Sequence, residues 1–514
     1  MIVEMHCHTA EHSDCSHVSA VDIVHWMLDK GIQGLVLTDH HYLWTVDEIM
    51  TLREEAGAPD RFVIMGGQET DVPEFGHVLI YGAGETIAPG TPIEEIRERH
   101  PGVAIAWAHP YREGRRPPDS RLTSPEIDAV EIFSSNHSAD EAYRGLADWH
   151  RLRFTAIAGT DTHARSYGGA YPTMFDHPVE TIEELSAEIR AGRCRPFFKE
   201  IPRSGTSRTE VTELAFGTKG ADEKRERLLV KRHQSDSSWR RGERTFRVMK
   251  EIAGHGFSGG RYRIPEPLES DRGERTFIRS GVRGKTLFER VTQGDRETAR
   301  TSLELAARWI ARLHNLGLEV TSPAEFFDAE EDRLASYIQG LDETDHPQAD
   351  RARQAKDRVL DEELRRFAGH PELLVQGHGD YHPKNILVGS DRAEDRNTIF
   401  VAPVDFDSTH RMPKAFDVGT FLAQFRNQFF GHEDALEKVS EELFLDTYLD
   451  EVEEVPEDFL AEVELYRARA GLSILYYLNK VGLGTSENLW RVLVETEHSL
   501  TAIAVHGASW KGNE

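Results

Sequence analysis

The sequence predicts an α/β protein of two domains, a β/α barrel over residues 1–200 and a domain of short strands and long helices over residues 210–505. Three observations predict it. The 514 residues are too many for one hydrophobic core. The first 200 alternate short apolar runs with helical patterns. Residues 196–212 mix proline, glycine, serine and threonine without helical periodicity, as a boundary does.

Each predicted strand of the first domain ends in residues able to bind a metal. The helix SAVDIVHWMLDKG follows the first strand, with Ser19 as its N-cap and Gly31 as its stop. A β/α barrel presents its active site at such strand ends. The predicted strands are IVEMHCH, GLVLTDH, RFVIMGGQE, VAIAWAHP, AVEIFSS and FTAIAGTDTH.

The second domain has a different pattern. The short strands LLVKRH and TFIRSG precede long charged helices around residues 295–370. The loop QGHGDYHPKN, the strands ILVG and TIFVAPVDF, and further helix then follow. The sequence contains no internal repeat.

Composition limits the partners. The net charge is −28 and both halves are acidic, which opposes non-specific nucleic-acid binding. No run approaches the roughly 18 apolar residues of a membrane span. Only three cysteines occur, Cys7, Cys15 and Cys194, which argues against a disulfide scaffold. Because the opening residues already form a predicted strand, we expect no leader and a cytoplasmic protein.

His6 and His8 are expected to share one face of the first strand, about 7 Å apart, as ligands of one transition metal. An HxH pair alone is weak evidence, and each polar residue at a strand end has an alternative role as a cap or a satisfied core group. The recurrence of such groups favours a metal site. The further candidates are Asp14, His40, Glu69, His109, His137, Asp161 and His163.

The order HCH, SD, TDH, a single Glu, AHP and DTH resembles the PHP (polymerase and histidinol phosphatase) phosphoesterase family. The resemblance implies a distorted β/α barrel with two to three divalent transition metals, Mn, Fe or Zn. Other histidines, among them His77, are expected at the surface or near substrate. By resemblance, His6, His8, Glu69 and Asp161 hold one ion, Glu69 with His109 and His137 a second, and Asp14, His40 and His163 a third.

Clustered cations lower the pKa of a bound water and neutralise phosphoryl oxygens. Arg112, Arg115 and Arg116 directly follow AHP, and they are candidates to bind the substrate phosphate. The alternative is an ordinary basic surface loop.

QGHGDYHPKNILV carries His378, Asp380 and Asn385, and Asp405 follows in VDFD. This spacing is typical of phosphoryl transfer, in which an Asp orients the acceptor hydroxyl while an Asn and a second Asp hold Mg²⁺. Upstream, Lys231 lies on a predicted strand and Glu243 on the following helix, as in a Lys–Glu pair that positions ATP phosphates.

This half resembles the aminoglycoside phosphotransferase and choline kinase family, over about residues 210–505. The supporting matches are ARLHNLG, HGDYHPKN, VDFDS and FDVGTF. The resemblance implies a bilobal protein-kinase-like α+β fold that uses Mg²⁺ with ATP or GTP. In it Asp380 is the base, Asn385 and Asp405 bind Mg²⁺, Lys231 contacts the nucleotide, Glu243 orients Lys231, and His378 and Asp417 are braces. The loop AFGTKGADEK departs from the family's glycine-rich pattern.

The chain is therefore interpreted as a bifunctional enzyme, a metal-dependent phosphoesterase joined to an ATP-dependent phosphotransferase. The two activities suggest phosphate remodelling on a nucleotide, a nucleic-acid end or a sugar phosphate. One alternative is a small-molecule or defensive kinase whose first domain reverses or regulates it. Another is a degenerate ligand-binding sensor. The sequence leaves the phosphoester, the acceptor, the metals and the oligomeric state open.

Overall fold

The computed structural model describes residues 1–163, 169–206, 208–216, 227–273, 275–391 and 398–508. The chain divides into two compact units, Met1–Lys231 and Arg232–Glu514. The stretch 196–212, which the sequence predicts as a boundary, contains most of a strand pair and lies upstream of this division. In the described part of the chain, no helix is both long enough and apolar enough to cross a membrane.

The first unit alternates strands and short helices along the chain, as predicted. Its helices are α1 (Ala20–Asp29), α2 (Val46–Glu55), α3 (Ile93–Arg99), α4 (Asp119–Leu122), α5 (Ala139–Leu152) and α6 (Ile182–Arg190). Its strands are β1 (Ile2–Glu4), β2 (Gly34–Leu37), β3 (Val63–Val72), β4 (Gly76–Tyr81), β5 (Ala104–Trp107), β6 (Ala129–Phe133), β7 (Ala156–Ala158), β8 (Thr173–Phe175), β9 (Cys194–Pro196), β10 (Phe198–Thr206) and β11 (Thr209–Phe216), and β12 (Arg227–His233) crosses the division.

The described strands β1 to β9 form one sheet in the order β7-β6-β5-β4-β3-β2-β1-β8-β9. β7 also lies against β9, so the sheet is nearly closed like a barrel. β1, β2 and β3 pair in parallel, as do β5, β6 and β7. β4 runs antiparallel between β3 and β5, which keeps the two sets pointing the same way. β10 and β11 form an antiparallel pair.

Local sequence sets these elements. The Ser19 hydroxyl accepts the Asp22 amide at the start of α1, and Gly31 follows the helix at φ +70°, which confirms both predicted ends. One apolar cluster packs Val3, Val36 and Ile157 with α6. Another packs Leu35 and Leu37 with α1. The side chains of the sheet are thus buried on both faces, and the strand ends are left for polar groups.

The second unit is mainly helical. Its helices are α7 (Asp236–Ile252), α8 (Leu287–Gln293), α9 (Arg296–Asn315), α10 (Pro323–Asp342), α11 (Ala349–Phe367), α12 (Lys414–Gln428), α13 (Glu433–Leu436), α14 (Glu441–Glu451), α15 (Phe459–Lys480) and α16 (Glu487–Ala508). Its strands are β13 (Pro267–Asp271), β14 (Thr276–Ser280), β15 (Lys285–Thr286), β16 (Leu374–Gln376), β17 (Ile386–Ser390), β18 (Ile399–Pro403) and β19 (Arg411–Pro413).

Two small strand groups position the loops of the second unit. β17 pairs antiparallel with β18 and with β15, and β16 pairs antiparallel with β19. One apolar cluster joins these strands to the long helices, with Trp309 of α9 and Tyr381 stacked at 5.8 Å between ring centres. The loops after β16 and β18 are therefore anchored on the packed apolar cluster of the second unit.

Candidate functional site

His6 and His8 lie on one face just beyond β1, as the alternation of a strand predicts. Their Nε2 atoms are 3.1 Å apart and both side chains are buried. Cys7 points the other way, and its thiol donates to the Val36 carbonyl at 3.3 Å. The backbone pairing at this edge continues as isolated bridges between Cys7 and Thr162 and between His40 and Glu69. These bridges bring the ends of β1 and β7 together, and the end of β2 beside Glu69 within β3.

Two buried carboxylates face the histidine pair. Oε2 of Glu69 is 3.3 Å from Nε2 of His6 and 3.1 Å from Nε2 of His8. Oδ1 of Asp161 is 3.4 Å and 3.0 Å from the same two atoms. One ligand atom from each of these four residues lies within 4.8 Å of the others, and we call this group the tetrad. The family resemblance implies the same four residues as ligands of one ion.

The surroundings of the tetrad fix the tautomers of both histidines. Nδ1 of His6 lies 2.9 Å from the Glu131 carboxylate, which only accepts, so Nδ1 carries the proton. The Ser13 hydroxyl donates to Asp39 at 2.6 Å and is left to accept from Nδ1 of His8 at 3.4 Å. Each Nε2 then directs a lone pair at the other, which fits a cation between them.

The charges of the tetrad also favour a cation between the two histidines. Burial disfavours charge on His8, yet the carboxylates of Asp161 and Glu69 raise its pKa to about 9. Burial works against ionisation of Glu69 and Asp161, but the charge of His6 keeps the pKa of each carboxyl below its usual range. The carboxylates therefore stabilise positive charge between them, and a divalent cation supplies it without protonating the histidines.

A second group forms around the other oxygen of Glu69. Oε1 lies 2.8 Å from Nδ1 of His77 and 3.2 Å from Nε2 of His109. Ligand atoms of His40, Glu69 and His77 lie within 4.8 Å of one another. His77 is on β4 and is absent from the ligand set inferred from the sequence. His137 is buried, with both ring nitrogens unpaired among the described residues, and it is in none of the close groups.

A third group contains His8, Cys15, His40 and His163. Nδ1 of His163 lies 3.0 Å from the carbonyl oxygen of Asp161, which leaves its Nε2 free to bind a metal. Asp14, which the resemblance assigns here, is exposed, and the neighbouring Cys15 supplies the ligand atom of this group.

The three arginines after AHP lie in an exposed turn. Arg112 and Arg115 have side-chain exposures of 43% and 67%, and both lie near the Glu113 carboxylate, at 3.9 and 3.4 Å. Arg116 is also exposed. The Arg112 amide donates to the His109 carbonyl at 3.1 Å, so the turn begins directly beside a candidate ligand.

Sequence reasoning missed several buried acids around the tetrad. Glu131 accepts from His6 Nδ1 and from the His109 amide, both at 2.9 Å. Glu4 accepts the Thr160 and His6 amides, and burial raises the pKa of Glu4 to about 7. A signal was present, because AVEIF and IVE each place one glutamate in an otherwise apolar strand.

In the second unit, Asp380 lies in the loop after β16. Its Oδ2 accepts from the Asn385 amide at 2.9 Å, and the same amide donates to the Asp380 carbonyl at 3.1 Å. Asp405 follows β18 in the left-handed region, at φ +67°, and the Val404 amide beside it donates to the Asn385 carbonyl at 2.8 Å. The predicted base and the two predicted Mg²⁺ ligands thus lie on adjoining loops.

The buried carboxylate of Asp417 holds this loop in place. Oδ2 accepts the His378 amide and Oδ1 the Gly379 amide, both at 2.8 Å. Nε2 of His314 donates to Oδ2 at 3.2 Å, and this contact helps to keep the pKa of Asp417 low although burial opposes ionisation. His378 accepts the Asp380 amide at Nδ1 and donates from Nε2 to the Val404 carbonyl. Both residues brace the loop, as the resemblance implies.

The two residues predicted to position the nucleotide lie on β12 and α7. Lys231 lies on β12 and is half-buried. Glu243 lies on α7 and is exposed, beside a cavity of about 320 Å³ lined also by Asp236 and Arg275. Of the loop AFGTKGADEK, residues 217–224 lie outside the described part of the chain.

The family comparison matches a segment that lies mostly in the second unit. Residues 217–452 match the family described as "Phosphotransferase enzyme family". This part of the chain is a phosphotransferase-family domain. No curated protein matches the chain.

The similar solved structures include a choline kinase, an aminoglycoside phosphotransferase and PsfC. A choline kinase of Cryptosporidium parvum is 13% identical, with a TM-score of 0.40, covering 60% of this chain and 91% of its own. The ADP-bound aminoglycoside phosphotransferase APH(2'')-Ib is 12% identical, with a TM-score of 0.35, covering 59% and 94%. PsfC from Pseudomonas syringae is 17% identical, with a TM-score of 0.31, covering 38% and 91%.

Proposed function

We propose that the chain is a bifunctional enzyme. Its first unit is a metal-dependent phosphoesterase acting on a phosphomonoester or terminal phosphate. Its second unit transfers phosphate from ATP or GTP to the hydroxyl of a small acceptor. The observation that carries the phosphoesterase half is the tetrad, because four buried ligand atoms with fixed histidine tautomers converge on one point.

In the first unit, His6, His8, Glu69 and Asp161 would hold one divalent transition metal, and the two further groups would hold others. Bound cations supply an acidified water and neutralise phosphoryl oxygens. The protein contributes Glu131 and the Ser13–Asp39 pair, which orient the histidines.

In the second unit, Asn385 and Asp405 would hold Mg²⁺, which neutralises the nucleotide phosphates. Asp380 accepts the proton of the acceptor hydroxyl at its carboxylate and orients the hydroxyl oxygen. The Asn385 amide restrains this carboxylate at 2.9 Å. Lys231, on the strand β12 that crosses the division between the units in sequence, is the candidate contact to the nucleotide.

The experiment uses the full-length protein. Elemental analysis is expected to find two to three Mn, Fe or Zn ions per chain. Asp380→Asn is expected to abolish ADP formation with alcohols while phosphate release from monoesters persists, because the two sites have separate ligands. His6→Ala with His8→Ala is expected to do the reverse, and His177→Ala, an exposed histidine paired with Glu188, serves as control.

Two results contradict the proposal. A metal-free protein that still hydrolyses phosphomonoesters removes the basis of the phosphoesterase half. Folded variants in which either change abolishes both activities rule out independent sites. A metal-free protein without hydrolysis favours the sensor alternative for the first unit.

A further inference from the structure

A small polar cavity of about 170 Å³ lies beside Asp380. It is lined by the loops of Gly379 and Ser408 and by side chains of α10, α12 and α15. Pockets for drug-sized ligands span about 300–1,000 Å³, so this cavity suits a much smaller molecule. Because it opens on the candidate base, it is the place for an acceptor hydroxyl, an inference that rests on the proposed phosphotransferase function.

The charges lining the cavity are unusual for a site that binds cations. Among its described lining residues, the sole carboxylate is Asp380, whereas Arg333 and Arg469 are both present. An amine or quaternary ammonium acceptor needs carboxylates or aromatic faces around its charge. Tyr337 also lines the cavity, but its ring already has a cation near it, the Arg469 guanidinium at 5.9 Å. The charged groups that the cavity presents besides Asp380 are guanidiniums, which recognise carboxylate, phosphate and phosphonate oxygens.

One buried glutamate serves both arginines. Glu330 accepts from Arg469 at 2.5 and 3.0 Å and from Arg333 Nη1 at 2.8 Å. Two guanidinium groups against one carboxylate leave one net positive charge. Glu363 does not cancel this charge, because burial and the nearby Glu330 raise its pKa well above its usual range. Arg333 is 29% exposed and is the more accessible of the pair.

The cavity also contains an unused polar group. Thr420 on α12 is 5% exposed, and its hydroxyl has no hydrogen-bond partner in the described part of the chain. Buried hydroxyls are nearly always paired, so this one is poised for a ligand atom. Gln424 lies one turn further along α12 and adds a side-chain amide to the same wall. Both groups suit oxygen atoms of a compact acceptor.

We propose that the acceptor is a small anionic alcohol, whose hydroxyl lies at Asp380 and whose carboxylate, phosphate or phosphonate lies at Arg333. In the transfer, the acceptor hydroxyl gives its proton to Asp380, and its oxygen forms a bond to the γ-phosphorus of the nucleoside triphosphate. The bond between that phosphorus and the β–γ bridging oxygen breaks, and its electron pair leaves with the nucleoside diphosphate. Arg333 binds the distant anionic group and takes no part in these bond changes.

The experiment measures ADP formation with alcohols of matched size and different charge. Glycerate, glycerol 3-phosphate and 2-hydroxyethylphosphonate are the anionic set, glycerol is neutral, and choline and ethanolamine are cationic. The anionic set is expected to have the highest kcat/KM. Arg333→Gln is expected to raise KM for an anionic acceptor by about 10-fold or more with a smaller change in kcat, since a charged hydrogen bond is lost. Arg333→Lys is expected to recover part of the loss.

Arg353→Gln is the matched control, because Arg353 is an exposed arginine on α11 paired with Asp342 and Asp350. Preference for glycerol, choline or ethanolamine overturns the inference and leaves the phosphotransferase function standing. An unchanged KM in Arg333→Gln also overturns it. If none of the alcohols is consumed, the result contradicts the inference. If no ADP forms even from ATP and water, the result contradicts the phosphotransferase function as well.

Discussion

The Nε2 atoms of His6 and His8 lie 3.1 Å apart, and each ring is oriented through its opposite nitrogen by a separate hydrogen-bond chain. Two neutral imidazoles with facing lone pairs repel each other unless a proton or a cation lies between them. We therefore expect the chains through Glu131 and through Ser13 to control metal binding by the pair, although neither residue belongs to the tetrad.

Glu131→Gln is expected to weaken metal binding by about 10–100-fold, the usual effect of losing a carboxylate partner of a metal-binding histidine. The glutamine amide lacks the negative charge that makes the His6 ring more basic. Its NH2 group is also a donor, whereas both His6 and the His109 amide need an acceptor. Chelator competition with the metal-loaded protein measures the affinity directly. Glu126→Gln, at an exposed glutamate, is the control. Equal affinity in both variants means that Glu131 does not orient His6.

Cys15 and Asp14 give different expectations for the third group. Both side chains are exposed, but Cys15 shares the group with His8, His40 and His163, whereas Asp14 is outside the close groups of the described residues. Cys15→Ser is therefore expected to lower the number of tightly bound ions by up to one per chain. It is also expected to reduce the preference for zinc over manganese, because thiolate is the softer ligand. Elemental analysis after dialysis against each metal measures both.

Asp14→Asn is the companion variant. A loss of metal in Asp14→Asn with none in Cys15→Ser restores the ligand set that the family resemblance implies. That result also means that the Asp14 side chain has a different orientation in the metal-loaded protein.

The strand ends were predictable because polarity changes abruptly there. The runs that lead to HCH, TDH and DTH are mostly apolar, with Glu4 as an exception, and alternation alone places His6 and His8 on one face. His77 could not be found by the same rule, since β4 runs antiparallel and brings its first residues, not its last, to this edge. The choice between Asp14 and Cys15 depends on the path of a loop, which no periodicity encodes.

In the second unit, the order of Asp380, Asn385 and Asp405 was readable from spacing, whereas the acceptor cavity was not. Arg333, Thr420 and Arg469 come from three helices that are far apart in sequence. Each residue alone is an ordinary polar position on a charged helix. Only the packing of α10, α12 and α15 brings them together beside Asp380.

Gly379 is expected to be irreplaceable for a steric reason. It has φ +84°, and a Cβ there would lie 2.0 Å from the Ser408 carbonyl oxygen. Gly379→Ala must therefore displace either the Asp380 loop or the loop after β18, and we expect loss of phosphoryl transfer and a lower free energy of unfolding. Gly369 has the same φ of +84° but nothing within 4 Å.

Gly369→Ala is thus a control for the left-handed conformation alone, which is expected to lower the free energy of unfolding by about 1–2 kcal/mol. Denaturant unfolding and ADP formation are measured for both variants. If Gly379→Ala costs no more than Gly369→Ala and retains transfer, the contact with Ser408 does not constrain the catalytic loop.

The arginines after AHP are expected to act on substrate binding. Replacing Arg112, Arg115 and Arg116 together by glutamate puts negative charge in the turn that starts at the His109 carbonyl. KM for a phosphomonoester is expected to rise several-fold with little change in kcat, a modest effect because exposed charges are screened by water and salt. The difference from the unmodified protein is expected to shrink as salt is added.

The control replaces Arg190, Arg193 and Arg195 by glutamate. The Arg193 carbonyl accepts the Asp176 amide just after β8, and the neighbouring Phe175 amide donates to the Met1 carbonyl. Arg193 therefore lies at the edge of the sheet opposite the tetrad. Equal KM changes in the two triple variants mean that the effect comes from net charge, and the AHP turn then has no specific contact with substrate.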